Sequence, residues 1–328
     1  MTSGVAKRDV AGHYRTRMAH HHHDHAHPHS HHGHSHHGQG HDCAFAIGTA
    51  LNTGFVAAEI AFGLAANSMA LLADAIHNFG DVLGLLLGWG ATWLTRLPPT
   101  RRRTYGWGRS SILAALLNAT ILLIGVGAIG VEAVQRLLSP MPVKELTVIL
   151  VAAAGIVVNG ATALLFLRGR GDDINLRAQF LHMAADAGVS AAVVVSGLLI
   201  LLTNWLWLDP LASLGVGIVI VLSTWGLLRE SIDLSMDAVP GGVAHDEVQD
   251  YLASVPGVLE VHDLHIWGLS TTQTALTAHL VCADPSDENR LRDVTAELRD
   301  RFGIGHATLQ IETDAEAELC RLRPHDVV

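Results

Sequence analysis

The chain is poor in charge and in cysteine. Of its 328 residues only 16% are Asp, Glu, Lys or Arg, against 49% hydrophobic, and the mean hydropathy is +0.32. That balance excludes an ordinary soluble globular protein and points to a membrane protein with soluble ends. The three cysteines, Cys43, Cys282 and Cys320, stand far apart and form no C-x-x-C pair, which argues against a disulfide framework and a zinc ribbon. No signal peptide is visible, because the first 43 residues are polar and rich in histidine. None of the long apolar stretches alternates with period 2 over about ten residues, so they read as helices and not as barrel strands.

Six apolar stretches are present, near residues 44–66, 69–95, 111–138, 145–168, 178–202 and 208–229. Each reaches the roughly 20 residues that a helix needs to cross about 30 Å of hydrocarbon. Basic residues set their expected orientation. With both ends in the cytoplasm, the inner segments hold Lys7, Arg8, Arg15 and Arg17, the group Arg96, Arg101, Arg102, Arg103 and Arg109, then Arg168, Arg170, Arg177 and Arg229. The outer loops hold only Arg136 and Lys144. The opposite orientation reverses the positive-inside bias, so both termini are expected to be cytoplasmic. The loop TRLPPTRRRTYGWGR then meets anionic membrane lipids; nucleic acid is not expected as a partner, since no soluble basic domain accompanies it.

Inside the second and fifth stretches one pattern recurs: HNFGD, with His77 and Asp81, and HMAAD, with His182 and Asp186. Positions i and i+4 share a helix face, so each string aims an imidazole and a carboxylate the same way, about 6 Å apart along the axis. Two such faces brought together offer two nitrogen and two oxygen donors, a set suited to tetrahedral Zn2+. An ionised Asp at mid-membrane costs roughly 2.5–3.5 kcal/mol on insertion scales, and a bound cation would account for two of them. The competing reading, a private His–Asp pair within each helix, explains one string but not its recurrence. Neither string carries the Glu of H-E-x-x-H, which leaves a metalloenzyme without its general base. A closed four-donor site also holds an ion too firmly for fast channel conduction.

The soluble ends differ in character. Residues 20–41 interleave His with Asp, Ala, Pro, Ser and Gly, a composition expected to stay disordered and to gather metal weakly and in a pH-dependent way. Residues 240–328 hold six Arg and no Lys against sixteen Asp and Glu, and so account for the formal net charge of −10. An acidic module of this kind concentrates cations near the membrane face. Its pattern reads as a helix in HDEVQDYLASVPG, strands in VLEVHDLHIWGLS and TTQTALTAHLVC, a helix in SDENRLRDVTAELRDRF opened by Ser286, and a strand in ATLQIET. The order αββαβ predicts a small α+β ferredoxin-like domain. By strict alternation His262 and His265 fall on opposite faces of their strand, so at most one shares a site with His279. The expected divisions are a tail over 1–43, six transmembrane helices over 44–238, the cytoplasmic domain over 239–315 and a C-terminal tail over 316–328.

The strings SMALLADAIHNFGD, YGWGR, LHMAADAGVS and VPGVLEVHDLHIW together resemble the cation diffusion facilitator family, in its bacterial zinc/cobalt/cadmium resistance branch, over about residues 44–312. The resemblance implies a homodimer in the bacterial inner membrane that exchanges cytoplasmic Zn2+, or Cd2+ and Co2+, for protons, a secondary transporter and not an enzyme. It implies a transport site of His77, Asp81, His182 and Asp186. It implies a cytoplasmic metal site at His262, His279 and Glu312, with Cys320, His245 or His265 as further candidates and with Gln310 where some members carry histidine. Arg109 and Asp237 match a charge interlock between membrane and soluble parts. On this reading, deletion of residues 20–41 raises the zinc concentration needed for half-maximal transport and leaves the maximal rate unchanged, because a disordered tail enriches metal but builds no membrane site. Flux measurements across a zinc series check this; loss of all transport in the well-expressed deletion refutes it.

Overall fold

The computed structural model describes residues 41–167, 174–284 and 288–323. Six helices carry the apolar stretches: α1 (His41–Ala66), α2 (Met69–Thr95), α3 (Ser110–Leu138), α4 (Glu145–Leu167), α5 (Ile174–Thr203) and α6 (Leu208–Ser235). All six are long and apolar enough to cross a membrane. The expected spans agree with them to within a few residues, except that α6 runs past residue 229 to Ser235. The histidine tract up to residue 40, Arg168, Arg170 and the expected helix opening at Ser286 lie outside the described residues.

Hydrocarbon gives packed helices little hydrophobic reward over lipid, so close approach of small side chains has to supply the contact. Accordingly Ala66, Ala70, Ala73 and Leu71 meet Val126, Val148, Ala152, Val193, Val216 and Ile220 in one buried cluster. Helix α2 lies at its centre, against α1, α3, α5 and α6, while α4 runs along α5 and α3 along α6. At Gly80 a Cβ would stand 2.8 Å from Leu122 Cδ1, so any larger residue there would make the leucine side chain of α3 move aside. The outward surface is apolar, with Trp89, Leu138 and Leu222 all more than 70% exposed, as lipid contact requires.

The start of α2 is pinned by a residue that the sequence alone did not mark. Ser68 caps the helix by accepting from Leu71 N at 3.2 Å. Asp209, in the first turn of α6, then accepts from Ser68 Oγ at 2.5 Å, Met69 N at 2.6 Å and Ala70 N at 3.4 Å. A carboxylate at a helix N-terminus satisfies orphan donors and meets the positive end of the helix dipole. This one also ties α6 to α2.

The soluble part follows as α7 (His245–Ser254), β1 (Val258–Gly268), β2 (Thr274–Cys282), α8 (Glu288–Phe302), β3 (Ile304–Glu312) and α9 (Asp314–Ala317). The sheet order is β1-β2-β3, with β1 and β2 antiparallel and β2 and β3 parallel across the α8 connection. Val248, Leu252, Val261, Ile266, Leu276, Leu280, Val294 and Leu298 fill the core on the helical side. The αββαβ order of the sequence reading holds, and α9 is an unpredicted addition. Its start is a reciprocal capping box between Thr313 and Glu316, whose carboxyl is held below the usual carboxylate range by the backbone N–H and hydroxyl of Thr313.

One expectation fails in β1. His262 pairs with His279 and His265 with Thr277, so three steps along β1 match two along β2. The extra residue is a β-bulge, with Asp263 in the left-handed region at φ 51°. Residues 277 and 279 share one face of β2, so the bulge returns His265 to the same side as His262 where strict alternation separates them.

Replacing Asp209 by Ala removes the acceptor of Ser68 Oγ, Met69 N and Ala70 N and is expected to cost of order 3 kcal/mol. Asp209→Asn, which keeps an acceptor oxygen, costs less. Thermal melts of both variants in detergent check the ranking, and midpoints equal to the parent's would show that the staple contributes nothing.

Candidate metal centres

Among the described residues, two groups of His, Cys, Asp and Glu bring potential ligand atoms within 4.8 Å of one another. The first lies between α2 and α5. His77 Nε2 is 2.9 Å from Asp186 Oδ1, and His182 Nε2 is 3.4 Å from Asp81 Oδ1. Both contacts cross between helices. Within the single helices His182 stands 3.8 Å from Asp186, and His77 lies within 4.8 Å of Asp81. The two rings meet edge to face with centroids 6.3 Å apart. The shortest contacts therefore run between the helices; His77, Asp81 and Asp186 bring ligand atoms within 4.8 Å of one another, and His182 stands at the edge of that set, next to Asp81 and Asp186.

Burial within the group is graded. The Asp186 side chain is 2% exposed and His77 13%, whereas Asp81 is 23% and His182 41%. The site thus has a closed inner side and an open outer one. Asp81 Oδ2 and Asp186 Oδ2 are buried and accept from no donor. A buried acceptor left unpaired costs about 1–3 kcal/mol, so two on one small cluster mark a place where a cation would be held.

The second group lies on the open face of the sheet. His262 and His279 are opposite each other on β1 and β2, with ring centroids 5.1 Å apart, and Glu312 closes β3. His279 Nδ1 is 2.9 Å from Glu312 Oε1 and His262 Nε2 is 3.4 Å from Glu312 Oε2. The short α9 turns the chain back over this face, so that Cys320 Sγ stands 3.6 Å from His279 Nδ1 and Arg323 forks onto Glu260 at 2.7 and 3.1 Å. Both ring nitrogens of His262 and Glu312 Oε2 are buried without a hydrogen-bond partner. Two imidazoles, a thiol and a carboxylate form a donor set that fits Zn2+.

Two sequence candidates stand apart from that cluster. His245 lies 3.4 Å from Asp246 and lines a cleft with Arg109, Asp237 and His265. His265 Nε2 instead engages Asp263 at 2.9 Å, and its side chain is 43% exposed. Sequence reasoning passed over Asp263, whose other oxygen is 3.6 Å from His279 Nε2. Only the bulge aims it there, and no periodicity argument reveals a bulge. Gln310 donates to Glu312 Oε1 at 2.7 Å and so orients the carboxylate.

The soluble domain meets the membrane helices around α3. Arg109 and Asp237 form an ion pair, with Asp237 in the left-handed region at φ 60° directly after α6. Beside it Thr271 N donates to Ser111 Oγ at 3.1 Å, and a Cβ on Gly108 would lie 2.8 Å from the carbonyl oxygen of Leu269. The Tyr105 ring meets His306 of β3 edge to face at 5.5 Å.

The family model for the cation efflux transmembrane domain matches residues 45–234, and that for the cation efflux protein cytoplasmic domain, a model named for dimerisation, matches residues 240–314. The chain is 33% identical to the cation efflux system protein CzcD of Alcaligenes sp. (strain CT14), over 83% of this chain and 87% of that protein. It is 32% identical to the cadmium, cobalt and zinc/H(+)-K(+) antiporter of Bacillus subtilis (strain 168), over 80% of this chain and 86% of that protein. With the zinc transporter ZitB of Escherichia coli (strain K12) it shares 32% identity, over 80% of this chain and 84% of that protein.

Replacing His262 and His279 together by Ala removes two donors from the sheet-face cluster. Loss of outer-shell partners alone typically weakens metal sites about 10–100-fold, so loss of two ligands is expected to exceed about 100-fold. Zinc titration of the chain without the histidine tract 20–41 and carrying Asp81→Ala, which removes a donor from the site between the helices, reads this out; identical affinity with and without the two histidines would make them packing residues only.

Proposed function

This chain belongs to the cation efflux family, and on that premise we propose that it exports divalent metal from the cytoplasm in exchange for protons, with Zn2+ as principal cargo and Cd2+ and Co2+ as further cargo. It is a multi-pass membrane transporter. The observation that carries the proposal is the crossed pairing of His77 with Asp186 and of His182 with Asp81, together with two buried carboxylate oxygens that no donor reaches. Two nitrogens and two oxygens between adjacent helices match the ligand number and softness of Zn2+.

The same four groups supply a route for exchange. Imidazole has an unperturbed pKa of about 6.5 and binds either a proton or a metal on a given nitrogen, so protons arriving at His77 and His182 expel the cargo. Alternate exposure of the site to each side by rocking of helices then moves metal one way and protons the other. The relative named for exchange of cadmium, cobalt and zinc with H+ and K+ supports this scheme. Loading from the cytoplasm fits the positive-inside charge bias, the histidine tract and the acidic module, all assigned to that side of a bacterial inner membrane. The sheet-face cluster of His262, His279, Glu312 and Cys320 is assigned a regulatory zinc. A homodimer is assigned on the strength of the cytoplasmic domain model. Arg109 and Asp237 hold the two parts of each protomer in register.

Replacing either Asp81 or Asp186 by Ala is expected to abolish zinc flux into inverted vesicles while the protein still assembles, because the site has no spare donor. Normal flux from either variant sinks the assignment. Changing His77 to Asp substitutes oxygen for imidazole and is expected to let Mn2+ compete with Zn2+. Competition profiles for Zn2+, Cd2+ and Mn2+ that stay unchanged would place selectivity elsewhere.

A further inference from the structure

Beside the crossed pairs lies a second set of buried acidic groups that the metal scheme does not use. Glu59 of α1 and Asp74 of α2 are both 0% exposed. Glu59 Oε2 accepts from the amide of Asn78 at 2.9 Å, and Asp74 Oδ2 accepts from the Ser190 hydroxyl at 2.8 Å. Each carboxyl keeps one buried oxygen with no donor, Glu59 Oε1 and Asp74 Oδ1. Asn78 follows Asp74 by four residues on the same face of α2, so Glu59, held by Asn78, stands beside the Asp74 carboxyl. Two carboxylates cannot hydrogen-bond without a proton between them, and two bare charges side by side in hydrocarbon repel. The charged or titratable groups acting on Asp74 from the elements around it are Glu59 of α1, His77 of its own helix and Asp186 of α5. Asp74 stands three residues before His77, so the pair lies about one helical turn from the metal ligands without being one of them.

We propose that Glu59 and Asp74 share one proton while the transport site is empty of metal and surrender it when metal binds, which makes the pair a proton carrier separate from the ligand histidines. This rests on the assignment of His77, Asp81, His182 and Asp186 as the transport site. Arrival of a divalent cation adds two positive charges one turn away and stabilises the doubly ionised pair. The carboxyl O–H bond breaks and the proton passes to water on the side to which the site is open. Departure of the metal restores the repulsion, and the pair takes a proton back from the compartment then facing it. Asn78 and Ser190 each hold one oxygen in place throughout, so the protonation change needs no rearrangement of the helices.

The test uses the protein in detergent with the histidine tract 20–41 deleted and with His262→Ala and His279→Ala, so that zinc reports on the membrane site. Calorimetric zinc titrations in buffers of different ionisation enthalpy give the number of protons released per zinc. In Glu59→Gln an amide N–H permanently replaces the shared proton, and the count is expected to fall by about one relative to the parent; Asp74→Asn is expected to do the same. Infrared difference spectra of the parent on zinc addition are expected to lose a protonated-carboxyl band that Glu59→Gln lacks, which decides the matter even if a variant folds poorly. An unchanged proton count in both variants, or no such band, overturns the inference and leaves the transport site standing. Zinc binding that survives undiminished in Asp81→Ala overturns the transport-site assignment itself.

Discussion

An acidic side chain inside hydrocarbon needs a partner, and that constraint organises the membrane half of this protein. Glu59, Asp74, Asp186 and Asp209 are all buried, on four different helices. Each finds its nearest partner on another helix: Asn78, Ser190, His77 and the start of α2 respectively. Helices that gain little from hydrophobic contact in lipid are thereby held in one relative placement by polar links. Helix α2 takes part in all of them, through its own Asp74, through His77 and Asn78, and through its N-terminus. It is the element that any movement of the transport site has to carry along.

The same constraint separates two kinds of carboxylate. Asp209 has three donors within 3.4 Å and no buried oxygen left over, which suits a group whose work is to hold helices together. Asp81, Asp186, Glu59 and Asp74 each keep a buried oxygen that no donor reaches. Unpaired acceptors in a low dielectric mark positions where something positive, a metal ion or a proton, completes the structure.

Much of this architecture was legible in the residues. The six spans follow from length and composition alone, and the recurrence of His-x-x-x-Asp points to the two helices whose histidines and aspartates face each other. The αββαβ order followed from alternation and from turn residues such as Pro256-Gly257. What stayed hidden were contacts that depend on which helices lie side by side. Asp209 looks like an ordinary residue at a helix start, and Glu59 and Asp74 are single acids in apolar runs with no local motif. The bulge in β1 was hidden for another reason: period-2 reasoning assumes that every residue advances the pleat, and Asp263 does not.

That bulge makes β1 a strand defined by counting. Before it, Val261 points to the helical core and His262 to the open face; after it, His265 lies on the open face and Ile266 in the core, because one residue in between is left out of the alternation. Asp263 takes a left-handed backbone and Leu264 packs against the core, so neither position is a free choice. A strand shortened by one residue there would alternate regularly, with both histidines still on the open face and Ile266 still in the core, so what the extra residue adds is the placement of Asp263 beside His265 and His279. A relative without the extra residue would thus keep both histidines on the sheet face and lose the carboxylate that the bulge brings to them.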